Sequence, residues 1–213
     1  MNWFIRAFSS SIGKKQIMAV TGLAFCLFVT FHLLGNLTVY AGRDSFLSYV
    51  KHLHSWQWLV TAAEWILLFF AVLHISIGLL LFFENLRARP VRYAVKKSAG
   101  GRTIGSATEP YTGLLILGFI VVHLLKFRFV DKTGTNDFVI LSHTFSHWGW
   151  VLFYIVGVII VAVHISHGLW SGFQTLGVNH PKYMPFIRRF GTVLSFVIGA
   201  GFASIPVLII FTR

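Results

Sequence analysis

The sequence predicts an all-α fold, an integral membrane bundle of five transmembrane helices that forms a single domain over residues 1–213. Of the 213 residues, 56% are hydrophobic and only 11% are charged, whereas a soluble domain averages about 25% charged residues. A mean hydropathy of +0.75 and an aromatic content of 16% exclude a disordered chain. Five stretches are long enough to cross the ~30 Å hydrocarbon core of a bilayer.

The five predicted spans follow one another with short connections. They cover residues 17–39, 58–83, 111–130, 150–175 and 191–211. The third is the weakest, because Lys126 and Arg128 interrupt its last turn. Short connections place sequential helices side by side, so we expect a compact bundle in the lipid bilayer.

The positive charges of the chain predict its orientation. With the N-terminus in the cytoplasm, 12 of the 18 Lys and Arg residues lie on the cytoplasmic side and six on the other side. Half of those 12 fall in the segment 87–102. The positive-inside rule then predicts a cytoplasmic N-terminus and a periplasmic C-terminus. Because the basic residues lie in short connections between spans, no nucleic-acid partner is expected.

Four spans each contain a histidine beyond their midpoint. The first and third spans run outward and place His32 and His123 in the outer half of the membrane, since each residue advances a helix by about 1.5 Å. The second and fourth spans run inward and place His74 and His164 in the inner half. Ionisable residues inside a span are costly and are usually functional. We therefore predict an outer pair and an inner pair of histidines.

The sequences around the histidines follow the same pairing. The motif H-I-S-x-G-L begins at His74 and at His164, and H-L-L begins at His32 and at His123. The glycine four residues after each inner histidine clears the same helix face, and a macrocycle needs such room.

A proton relay, a metal site and haem are the three explanations for this pattern. Haem iron takes axial ligands on the two sides of a flat ring, so facing imidazoles at two depths favour two b-type haems. A tetrahedral zinc site needs its ligands at one depth. The sequence lacks the C-x-x-C-H motif of covalent haem, and its single cysteine, Cys26, excludes a cysteine-ligated iron–sulfur cluster.

With these motifs the chain resembles the diheme cytochrome b subunit of succinate dehydrogenase/fumarate reductase, the five-helix, single-anchor type. The resemblance extends over nearly the whole chain. It rests on Thr21-Gly22-Leu23 with His32 eleven residues after the threonine, on His123-x4-Arg128, and on His164-x3-Gly168-Leu169-Trp170.

The resemblance implies a role for each histidine and a set of partners. His74 and His164 would bind the haem proximal to the cytoplasm, and His32 and His123 the distal haem. A flavoprotein subunit with FAD and an iron–sulfur subunit would dock on the cytoplasmic face of the inner membrane. Succinate and fumarate chemistry would occur there, with no catalytic residue in this chain. Electrons would pass between the iron–sulfur subunit, the two haem b groups and a membrane quinone, commonly menaquinone.

Three further polar residues are candidates for function. Glu64 is the acidic residue well inside a span, and we expect it to act in a proton route or to bind quinone. The alternative is an interfacial carboxylate paired with Arg43, Lys51 or Lys126. Lys126 and Arg128 are candidates for pairing with the distal haem propionates; the alternative is an ordinary snorkelling anchor.

Two positions near the end of the fourth span bear on the resemblance. His167 competes with His164 as a ligand, and the family motif selects His164. In one branch of the family, a glutamate two residues before this ligand carries protons across the membrane, and here that position is Ala162. Without another conduit, turnover with an outer quinone site would move charge across the membrane.

Two other functions compete with the electron-transfer anchor. The cytochrome b subunits of hydrogenases and formate dehydrogenases also use membrane histidines, but they typically have four spans and receive electrons from the outer side. The fifth span and the basic inner face argue against them. A haem-free transporter with a histidine proton relay would not require histidines at matched depths on four helices.

Overall fold

The computed structural model describes residues 6, 9–88 and 103–212. These residues form seven α-helices and no strand. In chain order they are α1 Ser11–Asn36, α2 Arg43–Ser55, α3 Gln57–Arg87, α4 Ile104–His123, α5 Asp137–Thr144, α6 Trp148–Thr175 and α7 Met184–Phe211. Five of them, α1, α3, α4, α6 and α7, are long and apolar enough to cross a membrane. The predicted all-α, multi-pass bundle is therefore confirmed, while residues 89–102 of the basic segment lie outside the described ranges.

Some spans extend beyond the apolar stretches from which they were predicted, because polar residues cap the ends that the charge distribution predicts to be cytoplasmic. Inner and outer refer below to this predicted orientation. The Ser10 side chain accepts a hydrogen bond from the backbone N–H of Gly13 at 3.0 Å, which starts α1 six residues before the predicted span. Thr103 forms a reciprocal capping box with Ser106 at the start of α4. Such caps satisfy N–H groups that would otherwise lack a partner at the first turn.

The first and third spans, α1 and α4, each end in a helix whose turns differ from those of an α-helix. A 3-10 helix, Leu37–Ala41, continues α1, and a π-helix, Leu124–Arg128, continues α4. The π-helical turn brings the Phe129 N–H within 2.8 Å of the Leu124 carbonyl. π-Helical turns are rare overall and occur often at functional sites. This one directly follows His123.

Two short helices on the outer side were not predicted. α2 follows the first span and α5 follows the third, so each outward span is followed by a helix before the chain returns. Phe46 of α2 and Leu141 of α5 are buried in one apolar cluster with Val39 and Tyr154. These helices therefore close the outer end of the bundle.

α6 lies at the centre of the bundle and packs against α1, α4 and α7, while α1 also packs against α3. A stripe of small residues on α7 makes the closest approach to α6. Gly191, Ser195 and Gly199 are buried there, and a Cβ added at Gly199 would lie 2.9 Å from the Cβ of Ala162. The stripe thus serves helix packing. α3 has no buried residue and forms one edge of the bundle.

Candidate functional site

The inner histidines each contact a buried threonine on a neighbouring helix. The Nδ1 atom of His74 on α3 lies 3.0 Å from the Oγ1 atom of Thr21 on α1. The Nδ1 atom of His164 on α6 lies 3.0 Å from the Oγ1 atom of Thr112 on α4. Because each ring uses Nδ1 in a hydrogen bond, Nε2 is the nitrogen left for a metal.

A glycine beside each threonine lets the imidazole approach. A Cβ added at Gly22 would lie 3.2 Å from His74 Cε1, and one at Gly113 would lie 3.7 Å from His164 Cε1. The first of these distances is shorter than an ordinary carbon–carbon contact. Gly22 is therefore needed for the observed position of the His74 ring.

The glycines of the H-I-S-x-G-L motifs face other side chains. A Cβ at Gly78 would meet the Met18 sulfur at 3.7 Å, and one at Gly168 would meet Glu109 Oε1 at 3.8 Å. Both are ordinary contact distances. The space next to these glycines is therefore bordered by Met18 and Glu109.

The outer histidines face each other. The ring centroids of His32 on α1 and His123 on α4 are 5.9 Å apart, with the planes at 85°. Two imidazoles bound to opposite sides of one metal ion have centroids about 6 Å apart, given a metal–nitrogen bond of about 2.0–2.1 Å. The two rings are stacked on phenylalanines one turn earlier, Phe28 at 5.4 Å and Phe119 at 6.1 Å.

The outer pair lacks the threonine partners of the inner pair. His32 Nδ1 lies 3.5 Å from Asn36 Nδ2, which itself donates to the His32 carbonyl at 2.8 Å. His123 Nδ1 is buried and has no hydrogen-bond partner among the described residues, and the same holds for the Tyr154 hydroxyl. The His123 and Tyr154 rings are 6.0 Å apart. Two unsatisfied buried polar atoms on neighbouring rings fit a site that another group completes.

These observations test whether the four histidines fit haem. Among the described residues, no three His, Cys, Asp or Glu side chains converge on one point. Paired imidazoles with Nε2 unengaged, phenylalanine rings stacked on the outer pair and glycines beside the inner pair fit a flat macrocycle with two axial ligands. They do not fit a tetrahedral ion.

The side chains that were predicted to lie near the distal haem contact other protein groups. Arg128 forms a two-point ion pair with Glu64, with Nε–Oε1 at 2.7 Å and Nη2–Oε2 at 3.0 Å. Both side chains retain considerable exposure, 55% and 41%. The Lys126 ammonium lies 4.3 Å from the centroid of the Trp150 ring. The structure thus joins Glu64 and Arg128, to which the sequence assigned separate roles.

His167 is surrounded differently from His164. Its Nδ1 atom lies 3.4 Å from Thr103 Oγ1 at the start of α4, and its ring is edge-on to Trp170 at 4.6 Å. The Arg188 guanidinium stacks over the same tryptophan at 4.4 Å. His167 therefore belongs to a polar and aromatic cluster at the inner end of the bundle.

The contacts of the two histidine pairs follow an internal repeat. At an offset of 91 residues, α4 carries the same residues as α1 at five positions, and the H-I-S-x-G-L motif of α3 recurs on α6 at an offset of 90 residues. The α1 positions are Thr21, Gly22, Leu23, Phe28 and His32, and the α4 positions are Thr112, Gly113, Leu114, Phe119 and His123. The repeat extends the H-L-L and H-I-S-x-G-L motifs to the threonines and phenylalanines that contact the histidines.

Three residues of the site were missed from the sequence. Thr112 could have been found by aligning the chain with itself at the offset of the two H-L-L motifs. Glu109 is half-buried beside Gly168 and forms no ion pair with any described residue. Tyr154 is 6% exposed, and nothing in the sequence distinguishes it from the other aromatic residues of α6.

One of three comparisons with known proteins finds a relative of this chain. The chain is 31% identical over 87 residues to the succinate dehydrogenase cytochrome b558 subunit of Bacillus subtilis (strain 168). The chain is similar to a succinate dehydrogenase cytochrome b subunit. The match covers 40% of this chain and 43% of that relative, less than half the length of each. No family model and no solved structure matches the chain.

Proposed function

We propose that this chain is the membrane-anchor cytochrome b subunit of a succinate:quinone oxidoreductase, of the five-helix type with two b-type haems. The observation that carries the proposal is one histidine inside each of α1, α3, α4 and α6, with the rings of His32 and His123 facing each other at 5.9 Å between centroids. The sequence similarity supports the same assignment at the level of the succinate dehydrogenase cytochrome b subunits.

The chain would position its cofactors through these four side chains. His74 and His164 would hold the haem proximal to the cytoplasm, and His32 and His123 the distal haem. When bound, haem supplies reversible one-electron transfer, and two histidine ligands leave no open iron position for oxygen. Along α1, Thr21 and His32 are eleven residues, about 16 Å, apart. The helix would thus hold one site near each side of the membrane.

The inner end of the bundle would receive the catalytic subunits. Lys14 forms an ion pair with Glu84 there, and Arg87, Arg188 and Arg189 lie at the same end. A flavoprotein subunit with FAD and an iron–sulfur subunit would dock on this face. They would carry out the succinate and fumarate chemistry, and this chain would contribute no catalytic residue.

The outer end would serve the quinone, for which menaquinone is our proposal. Glu64 and Arg128 form an exposed ion pair between neighbouring helices, and Arg128 follows the proposed distal ligand His123 by five residues. We propose that this pair takes part in quinone binding or in the proton route that accompanies it. Lys126, which contacts Trp150, and Arg128 remain our candidates for the distal haem propionates.

Haem content decides between this proposal and a haem-free transporter. The subunit, purified with its complex, is expected to give two haem b per chain in a pyridine haemochrome assay and a b-type reduced-minus-oxidised spectrum. A colourless or substoichiometric preparation would refute the proposal. Co-purification of an FAD protein and an iron–sulfur protein with the chain tests the proposed partners. High-salt washing of the membrane is expected to remove both proteins.

A further inference from the structure

Four buried side chains in the described part of the chain carry a hydroxyl group and are not aromatic: Thr21, Thr112, Thr144 and Ser195. Thr144 and Ser195 bond only to carbonyls of their own helices. Thr21 and Thr112 also reach across to another helix and contact the two inner histidines. These two threonines are 2% and 8% exposed, so no water competes for the contact.

The hydrogen bonds of each threonine define its role toward the imidazole. Thr21 Oγ1 lies 2.7 Å from the Ile17 carbonyl, and Thr112 Oγ1 lies 3.1 Å from the Thr108 carbonyl. A carbonyl can only accept, which favours donation of the single hydroxyl hydrogen along the helix. The hydroxyl oxygen then accepts from the histidine, whose Nδ1 carries the hydrogen. This is the tautomer with a lone pair on Nε2.

We propose that Thr21 and Thr112 are positioning residues that hold the inner histidines in the Nε2-ligating tautomer and thereby lower the reduction potential of the proximal haem. This inference rests on the proposed function. Accepting a hydrogen bond from Nδ1 makes an imidazole a stronger electron donor to a metal on Nε2. Stronger donation stabilises oxidised more than reduced iron, and hydrogen bonding near an axial ligand is one of the protein's means of setting the potential.

The structure predicts the same direction of change for the two threonines. Each hydroxyl oxygen lies 3.0 Å from the Nδ1 atom of its histidine, so removing either hydroxyl should raise the reduction potential of the proximal haem. The outer pair has no hydroxyl at Nδ1, so neither substitution should change the distal haem.

The test is a redox titration of the purified complex carrying Thr112→Val, Thr112→Ser or Thr21→Val. Thr112→Val should favour reduction of the proximal haem about tenfold, equivalent to about +59 mV for a one-electron couple. Thr21→Val should shift the potential in the same direction, and Thr112→Ser should retain the wild-type value. Low-spin EPR g-values of the proximal haem should change in both valine variants.

Thr108→Val is the matched control, because its hydroxyl lies one turn away on the same helix and contacts only the carbonyls of Ile104 and Gly105. Loss of the proximal haem in Thr112→Val, with retention in Thr112→Ser and Thr108→Val, would also support positioning. Unchanged potentials in both valine variants, or an equal shift in Thr108→Val, would overturn the inference. A wild-type complex without haem would instead refute the proposed function.

Discussion

His164 and His167 lie on the same helix, three residues apart, and their surroundings assign them different roles. His164 contacts a buried threonine from α4, while His167 contacts Thr103 and Trp170 at the inner end of the bundle. A ligand needs a fixed ring with an unengaged Nε2. His164 meets this requirement inside the bundle.

Single substitutions of these two histidines should therefore differ in haem content. His164→Ala should reduce the complex from two haems to one, because one axial ligand cannot hold the ring in place. His167→Ala should retain both haems. Pyridine haemochrome assays on both variants measure the number of haems per chain. The assignment would be reversed if His167→Ala contained one haem and His164→Ala contained two.

The exposed ion pair of Glu64 with Arg128 should matter more for turnover than for stability. Exposed pairs contribute about 0–1 kcal/mol, so Glu64→Gln and Arg128→Gln should barely change thermal unfolding of the complex. If the pair acts as a unit toward quinone, each variant should lower quinone-linked turnover several-fold. The double variant should then be no slower than the worse single one. Wild-type turnover in Glu64→Gln would rule out its role.

At the level of helices, contact between α4 and α6 sets the position of the outer histidine. Gly157 of α6 packs directly against the ring of Phe119, and that ring stacks on His123. An added methyl group would have to displace the phenylalanine. Gly118, next to Phe119 on α4, has open space around its Cβ position.

The two glycines therefore predict opposite effects of the same substitution. Gly157→Ala should destabilise the complex by about 1–3 kcal/mol through overpacking and lower the content of the distal haem. Gly118→Ala should be neutral or stabilising by about 0.5–1 kcal/mol, because alanine favours helix. Thermal unfolding in detergent with haem quantification compares them. Equal effects would mean that the contact at Phe119 does not support the site.

The helices were predictable from the sequence to different degrees. Runs of apolar residues locate the five spans, but they do not show the capped turns at Ser10 and Thr103, which extend past the hydrophobic stretch. The short helices α2 and α5 carry a weaker signal because they mix charged and apolar residues. The depth of each histidine along its helix was enough to group His32 with His123. The threonine contacts depend on how each helix is rotated about its own axis, and hydropathy does not report this rotation.

At the scale of the whole molecule, the charge distribution predicts the sidedness of the bundle. Thr135 and Asn179 lie exposed in connections at opposite ends, and Cys26 is buried. In a Cys26→Ser background, Thr135→Cys should react with a membrane-impermeant maleimide in right-side-out vesicles. Asn179→Cys should react only after permeabilisation. The reverse pattern would invert the proposed orientation.

The packing of α6 on α7 bears on charge movement during turnover. Ala162 meets Gly199 closely, which leaves no room at this position for the glutamate that carries protons in one branch of the family the chain resembles. With an outer quinone site, turnover should therefore generate a membrane potential, each charge moved through 100 mV being equivalent to about 2.3 kcal/mol. Proteoliposomes with a voltage-sensitive dye measure it. Absence of a potential during succinate–quinone turnover would count against this expectation.

The internal repeat has a consequence for biogenesis. The first helical hairpin supplies His32 and His74, and the second supplies His123 and His164. Each pair thus takes one imidazole from each hairpin, so a nascent chain that has inserted only the first hairpin presents two half-sites and no complete one. If each pair holds one haem as proposed, the haem could be captured only after the second hairpin has left the ribosome and docked. Haem capture would then report complete membrane insertion.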